Sequence, residues 1–277
     1  KIEDMKRILV PVDFSTTAEN AAIFAVQLAE FYKADLWLYH SYQLIAPYTE
    51  IGFSAITPAD LLNATEFELD EFKIRIENKI RTSVNIFTRI ENIDLQNGLA
   101  NFCNELKPDL IVMGLSGKSA LTKLVVGSNT ISAIEHLKVP ILVVPTKATF
   151  APIRKIGFAC DYKKIIETTP LALLKKIVKD FNANLFVINV SNDKVLDNEK
   201  ISESSILDIL IKDLNPNYRT VYAEEISEGI NWFAKQEELD WLVVIPKKHN
   251  LMDKLFKRSQ TKELLYHTNV LILCMHD

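Results

Sequence analysis

The chain has 277 residues, 48% hydrophobic and 25% charged, with a formal net charge of −4. That length fits one large domain or two of ordinary size, and that composition suits a globular protein with a buried core. The mild acidity argues against a nucleic-acid binder, which needs a basic excess or stripe, and no apolar run reaches the roughly 18 residues of a membrane span.

In chain order, the first half reads as strand 7–13, helix 16–33, strand 35–40, helix 58–80, strand 83–89, helix 95–107, strand 109–114, helix 128–138 and strand 140–145. The strands are short, apolar on both faces and rich in Val, Ile and Leu, which predicts a parallel sheet covered by helices on both sides. Ala18, Ala21, Ala22, Ala25 and Ala29 recur at helical spacing, so helix 16–33 can pack close to the sheet, and Ser15 is its expected N-cap. Segment 42–58, with Pro47, Gly52 and Pro58, is the longest irregular piece and is expected to form a loop, a flap over a site. The second half reads as strand 155–161, helix 167–181, strand 184–190, helix 198–213, strand 218–223, helix 227–238, strand 240–246, helix 259–267 and strand 269–275. The segment from Pro145 to Pro152 joins the halves, which gives an α/β protein of two domains, 1–147 and 148–277.

The halves repeat one another. Ile8-Leu9-Val10-Pro11-Val12-Asp13-Phe14 parallels Ile156-Gly157-Phe158-Ala159-Cys160-Asp161-Tyr162, each after a basic residue. Asp109-Leu110-Ile111-Val112-Met113 parallels Asp240-Trp241-Leu242-Val243-Val244, and Val139 to Val144 parallels Val270 to Met275 at the same offset. Two repeats of domain length indicate duplication. Cys103, Cys160 and Cys274 are far apart, form no CxxC pair and lie in apolar runs, so they read as buried thiols of a reducing cytoplasm. No apolar signal region lies in segment 1–7, and Met5 is a candidate native start.

The chemistry sits in Gly114-Leu115-Ser116-Gly117-Lys118-Ser119 and, eight residues further on, Gly127-Ser128-Asn129-Thr130. This G-x2-G-x9-G-S pattern begins at the end of a strand and closes where a helix starts. Glycines let backbone approach an anion without Cβ clashes, and successive free N–H groups form a nest for oxyanions. A helix N-terminus adds unpaired N–H groups and the positive end of its dipole. Ser128 can donate its hydroxyl and Lys118 can add charge. Gly117-Lys118-Ser119 imitates the end of a Walker A loop, but Val112 stands where that motif requires glycine. No GxGxxG follows the first strand. The plain alternative is that these glycines only make turns.

With these pieces together, the sequence resembles the nucleotide-binding branch of the universal stress protein family. The match runs from Ile8–Ser15 through Asp109–Gly114 and the glycine segment to Val139–Pro145, with the second half joining by repeat. The resemblance implies two doubly wound five-stranded parallel-sheet domains, the adenine nucleotide alpha hydrolase-like arrangement, paired through their last strands. It implies ATP or AMP as ligand. Asp13, with Pro11 and Val12, would lie against the nucleoside. Tyr39 and His40 would line the adenine pocket through backbone, and Met113 and Gly114 would hold the ribose side. Gly117, Lys118, Gly127, Ser128 and Asn129 would surround the phosphates, with Asp13 near a magnesium ion carried by the nucleotide. Read as residues alone, Asp13 can equally brace a turn, His40 be a satisfied strand-end residue and Met113 be core.

The second half departs from this pattern. Ile245, Lys248 and Arg258 stand at the positions of Gly114, Gly117 and Gly127, although Ser259 matches Ser128 and Asp161 matches Asp13. Side chains there obstruct a phosphate path, so no nucleotide is expected in this half. Lys247, Lys248, His249, Lys254, Lys257 and Arg258 read as a solvated basic face, or as a site for a different anionic ligand or a partner's acidic patch. No Ser-His-Asp set, HExxH or metal-ligand spacing appears, so weak ATP hydrolysis is the most catalysis expected. The rivals are a ligand-free interaction module and a flavoprotein-like α/β enzyme. The last strands, 139–145 and 269–275, are apolar edges that need covering, by each other within one chain or by a second chain.

Overall fold

The computed structural model describes residues 5–43, 57–115, 128–191, 198–246 and 270–276. Gly117, Lys118, Gly127, most of the expected flap, the basic cluster from Lys247 to Arg258 and the expected helix 259–267 lie outside the described residues. The chain divides into two compact units, Met5–Met113 and Gly114 onward. This division falls earlier than the 147/148 boundary drawn from the repeat. Strand β5 (Ile141–Val144) is hydrogen-bonded to β10 (Leu271–Cys274), which ties the residues after Gly114 to the second repeat.

In Met5–Met113 the elements are β1 (Arg7–Pro11), α1 (Thr16–Tyr32), β2 (Asp35–Tyr42), α2 (Pro58–Lys79), β3 (Ile86–Asn92), α3 (Leu95–Leu106) and the start of β4 (Leu110–Gly114). The strands lie in the order β3-β2-β1-β4, all parallel. Ile8, Leu9 and Val10 of β1 are fully buried, as a strand covered on both faces requires. The chain moves outward from β1 to β3 and then returns to the far side of β1. With right-handed crossovers, that reversal puts α1 and α2 on one face and α3 on the other, the doubly wound arrangement. The helix starts follow from local chemistry. Ser15 accepts from the Ala18 amide, Asp94 accepts from Asn97, and Thr57 and Asp60 form a reciprocal capping box with Pro58 in the first turn.

From Gly114 onward come α4 (Ser128–His136), β5, β6 (Lys155–Ala159), α5 (Ile165–Thr168), α6 (Leu171–Asp180), β7 (Asn184–Ser191), α7 (Asn198–Ile211), β8 (Asn217–Tyr222), α8 (Ile226–Gln236), β9 (Trp241–Val244) and β10. The strand order here is β5-β10-β9-β6-β7-β8, parallel except for the antiparallel β5–β10 pair. Among the described residues, two expected elements differ by more than two residues at an end. The single helix 167–181 is two helices, because Pro170 has no amide proton to continue the ladder and Thr169 before it is extended. The strand expected at 83–89 runs later, from Ile86. The Thr82 hydroxyl accepts from the Val84 amide in a local turn, and β2 offers partners only from Leu36.

The parallel between the two halves extends to single hydrogen bonds. Asp109 Oδ2 accepts from the Lys6 and Arg7 amides at 2.8 and 2.9 Å. Asp240 Oδ2 accepts from the Arg154 and Lys155 amides at 2.7 and 2.9 Å. In each repeat an aspartate thus braces the entry of the first strand from the entry of the fourth. Among the described residues, no helix is long and apolar enough to cross a membrane.

Candidate functional site

The ladder between β1 and β2 continues one residue past β1, where the Val12 amide donates to the Tyr39 carbonyl at 2.8 Å. His40 Nδ1 lies 2.8 Å from the Val12 carbonyl oxygen. A carbonyl only accepts, so Nδ1 carries the proton and donates. The imidazole stacks on Phe14, with ring centroids 4.4 Å apart, and Phe14 meets Phe72 of α2 edge-on. Phe14 adopts φ 60°, a left-handed conformation uncommon for a bulky residue. Asp13 steadies that turn by accepting from the Ser15 amide at 3.1 Å, and its side chain remains exposed. Val12, Asp13 and His40 are therefore gathered at the carboxyl end of β1, beside the point where the strand order reverses. Open α/β sheets take their ligands there.

Tyr39 and Met113 behave differently. Tyr39 is fully buried. Its ring stacks on Phe102 of α3 and its hydroxyl donates to Glu91 at 3.0 Å, under Arg89. Burial first, then the bond to Glu91, raises the phenol above its ordinary range. The Tyr39 side chain thus belongs to the α3 face, and only its backbone stays beside the carboxyl end of β1. Met113 is buried core at the close of β4. Pro11, the last residue of β1, is half-buried.

In the other unit, the Gly114 carbonyl accepts from the Thr130 hydroxyl at 3.0 Å. Thr130 is buried, whereas Ser128 and Asn129 before it are exposed in the first turn of α4. The glycine segment therefore runs from a strand end to a helix start, and Thr130 ties those two points together. Sequence reading passed over Thr130 and Phe14. The signals were a hydroxyl in the first turn after Gly127-Ser128, and an aromatic at the same place in both repeats.

The second repeat keeps the backbone plan and changes the side chains. The Cys160 amide donates to the Ile188 carbonyl at 2.9 Å, and Asn189 Nδ2 donates to the Cys160 carbonyl at 2.8 Å, as His40 does to Val12. Asp161 accepts from the Lys163 amide across Tyr162, whose φ is 51°. A shallow cleft at this strand end is lined by Cys160, Asp161, Ile165, Thr168, Thr169 and Ile245, among others. Ile245 stands where the first repeat has Gly114 and is itself buried.

Residues 5–145, just over half of the chain, match the model of the universal stress protein family. The chain belongs to the universal stress protein family. A curated universal stress protein of Methanocaldococcus jannaschii is 27% identical over 141 residues, which is 50% of this chain and 81% of that one. A crystal structure of a universal stress protein from Archaeoglobus fulgidus DSM 4304 covers 99% of the chain and 97% of its own length, with a TM-score of 0.73 at 14% identity. A functionally unknown protein from Pseudomonas aeruginosa PAO1 covers 99% and 93%, with a TM-score of 0.58 at 14% identity. Both structural likenesses run through both repeats, so the universal stress protein fold extends beyond the segment matched by the family model. Among the described residues of this universal stress protein, no cluster of three or more His, Cys, Asp or Glu is placed to hold a metal.

Proposed function

We propose that this universal stress protein binds ATP or AMP in its first repeat and serves as a nucleotide-dependent regulator in the stress response. The repeat domains would be 1–147 and 148–277. Pro11, Val12 and Asp13, with the backbone of Tyr39 and His40, would hold the nucleoside. Met113 and Gly114 would sit at the ribose, and Gly117, Lys118, Gly127, Ser128 and Asn129 at the phosphates. Asp13 is exposed and can face a magnesium ion carried by the nucleotide. A reducing cytoplasm suits three buried free cysteines, and pairing of β5 with β10 would make the chain its own pseudo-dimer.

The observation that carries this proposal is the glycine segment. Strand β4 ends on Gly114 and α4 begins at Ser128, so in the sequence Gly117 and Gly127 fall between a strand end and a helix start, whose positive end suits an anion. In the second repeat Ile245 replaces the first of those glycines, and one site per chain is expected.

Calorimetric titration of nucleotide-stripped protein with ATP and magnesium tests this. One site per chain, lost in Gly127→Val with unchanged circular dichroism, is the expected result. No binding by stripped, folded protein would overturn the proposal and leave an interaction module. Two sites would refute the inactive second repeat.

A further inference from the structure

Helix α4 carries the proposed phosphate-side residues Ser128 and Asn129, and it is fastened at both ends. Thr130 ties its first turn to the Gly114 carbonyl. Its last turn holds carbonyls that run out of amide partners within the helix. The Leu137 amide takes the Ala133 carbonyl at 2.9 Å. The Ile134 carbonyl is met by His276, whose Nε2 lies 2.7 Å from it. A carbonyl only accepts, so Nε2 carries the proton and donates. Nδ1 is left as the acceptor, buried and without a partner among the described residues.

His276 belongs to the second repeat. It follows β10, and the antiparallel pairing of Cys274 with Ile141 brings the chain's tail alongside the first repeat's last strand. The repeat offset that matches Val139 with Val270 places Pro145 at the position of His276. Proline has neither an N–H nor a side-chain donor, so the first repeat cannot return this contact. A donor at a helix C-terminus satisfies an orphan carbonyl and faces the negative end of the dipole.

We propose that His276 is a positioning residue for α4, through which the second repeat, having lost its own glycines, holds the phosphate-side helix of the first. The ligand consequence rests on the nucleotide function proposed above, whereas the anchoring of α4 does not. This gives the second repeat a task that requires no ligand of its own.

The test compares full-length wild type with His276→Leu, which removes the donor at similar bulk, and His276→Gln, which keeps an N–H near the position of Nε2. Hydrogen exchange over residues 128–138 is read in nucleotide-free protein, and ATP affinity by calorimetry. In His276→Leu, exchange is expected to quicken and ATP binding to weaken, each by about threefold to tenfold, the size of one hydrogen bond. His276→Gln should restore both. Unchanged exchange in His276→Leu, or exchange in His276→Gln as fast as in His276→Leu, would overturn the proposal. If His276→Leu does not fold, His276→Glu replaces it, because a carboxylate keeps the reach of glutamine but only accepts. If wild type binds no ATP, the nucleotide function falls, and the exchange comparison alone decides the anchor.

Discussion

Gly98, in the second turn of α3, faces the space that Tyr39 fills. A methyl group added there would collide with the Tyr39 hydroxyl and with Ile93 Cγ2. The hydroxyl cannot yield freely, because it is bonded to Glu91 and its ring is stacked on Phe102. Gly98→Ala is therefore expected to destabilise the protein by about 1–3 kcal/mol, the usual cost of overpacking. Removing the obstructing oxygen by Tyr39→Phe should lower that cost, so the double variant loses less than the two single losses combined. Urea denaturation of the four proteins measures this, and simple additivity would show that Tyr39 is not the obstruction. The sequence names Tyr39 and His40 as a pair at a strand end. Alternation along a strand sends their side chains to opposite faces, so Tyr39 goes to α3 and His40 to Val12 and Phe14. What the sequence could not show was which carbonyl or carboxylate each would meet.

Between elements, the clearest electrostatic brace joins α6 to the turn after α7. Lys175 and Lys179 donate to the two oxygens of Asp213 at 2.7 and 2.6 Å. Those bonds, Lys175 first, hold the Asp213 carboxyl down to about 2. A carboxyl depressed in the folded state stabilises the fold above its unfolded value of about 3.9, and that contribution is lost as the pH falls through the folded value. The stability advantage of wild type over Asp213→Asn should thus be constant above about pH 5 and shrink between about pH 4 and pH 2. It will be small, since the Asp213 side chain is 41% exposed and water screens the pair. Denaturation curves across that range check the slope, and a difference that grows toward acid would contradict it. At this scale most elements were legible, because a cap such as Ser15 and the run of Val, Ile and Leu both act locally. The exceptions had non-local or competing causes. Edge strand β3 starts where β2 offers partners, and Pro170 splits a helix whose apolar pattern continues across it.

Across the described residues, the two halves share a backbone plan and differ in their side chains. The braces from Asp109 and Asp240 match bond for bond, while Ile245 stands at the position of Gly114 and Asn189 at that of His40. The parallel between the halves shows in the sequence because these aspartates sit beside apolar runs at one offset. The sequence marks the glycine segment by its spacing but marks neither Thr130 nor His276, because each acts through a carbonyl that no pattern of side chains shows. The β5–β10 register carries the parallel furthest. Val143 faces Ile272, Leu142 faces Leu273 and Ile141 faces Cys274. At the repeat offset Leu273 is the counterpart of Leu142, so the pairing is self-complementary about these two leucines, as in an isologous contact. Both are fully buried. Leu142→Ala and Leu273→Ala should each cost about 2–5 kcal/mol. As directly opposed cross-strand neighbours they should also couple, the double variant falling short of the sum by about 0.5 kcal/mol or more, because the second truncation enlarges a cavity already made. Urea denaturation of the four proteins, followed by circular dichroism, gives that coupling. Losses that add within about 0.3 kcal/mol would mean that the two leucines do not share a contact, and the self-complementary seam would fail with them.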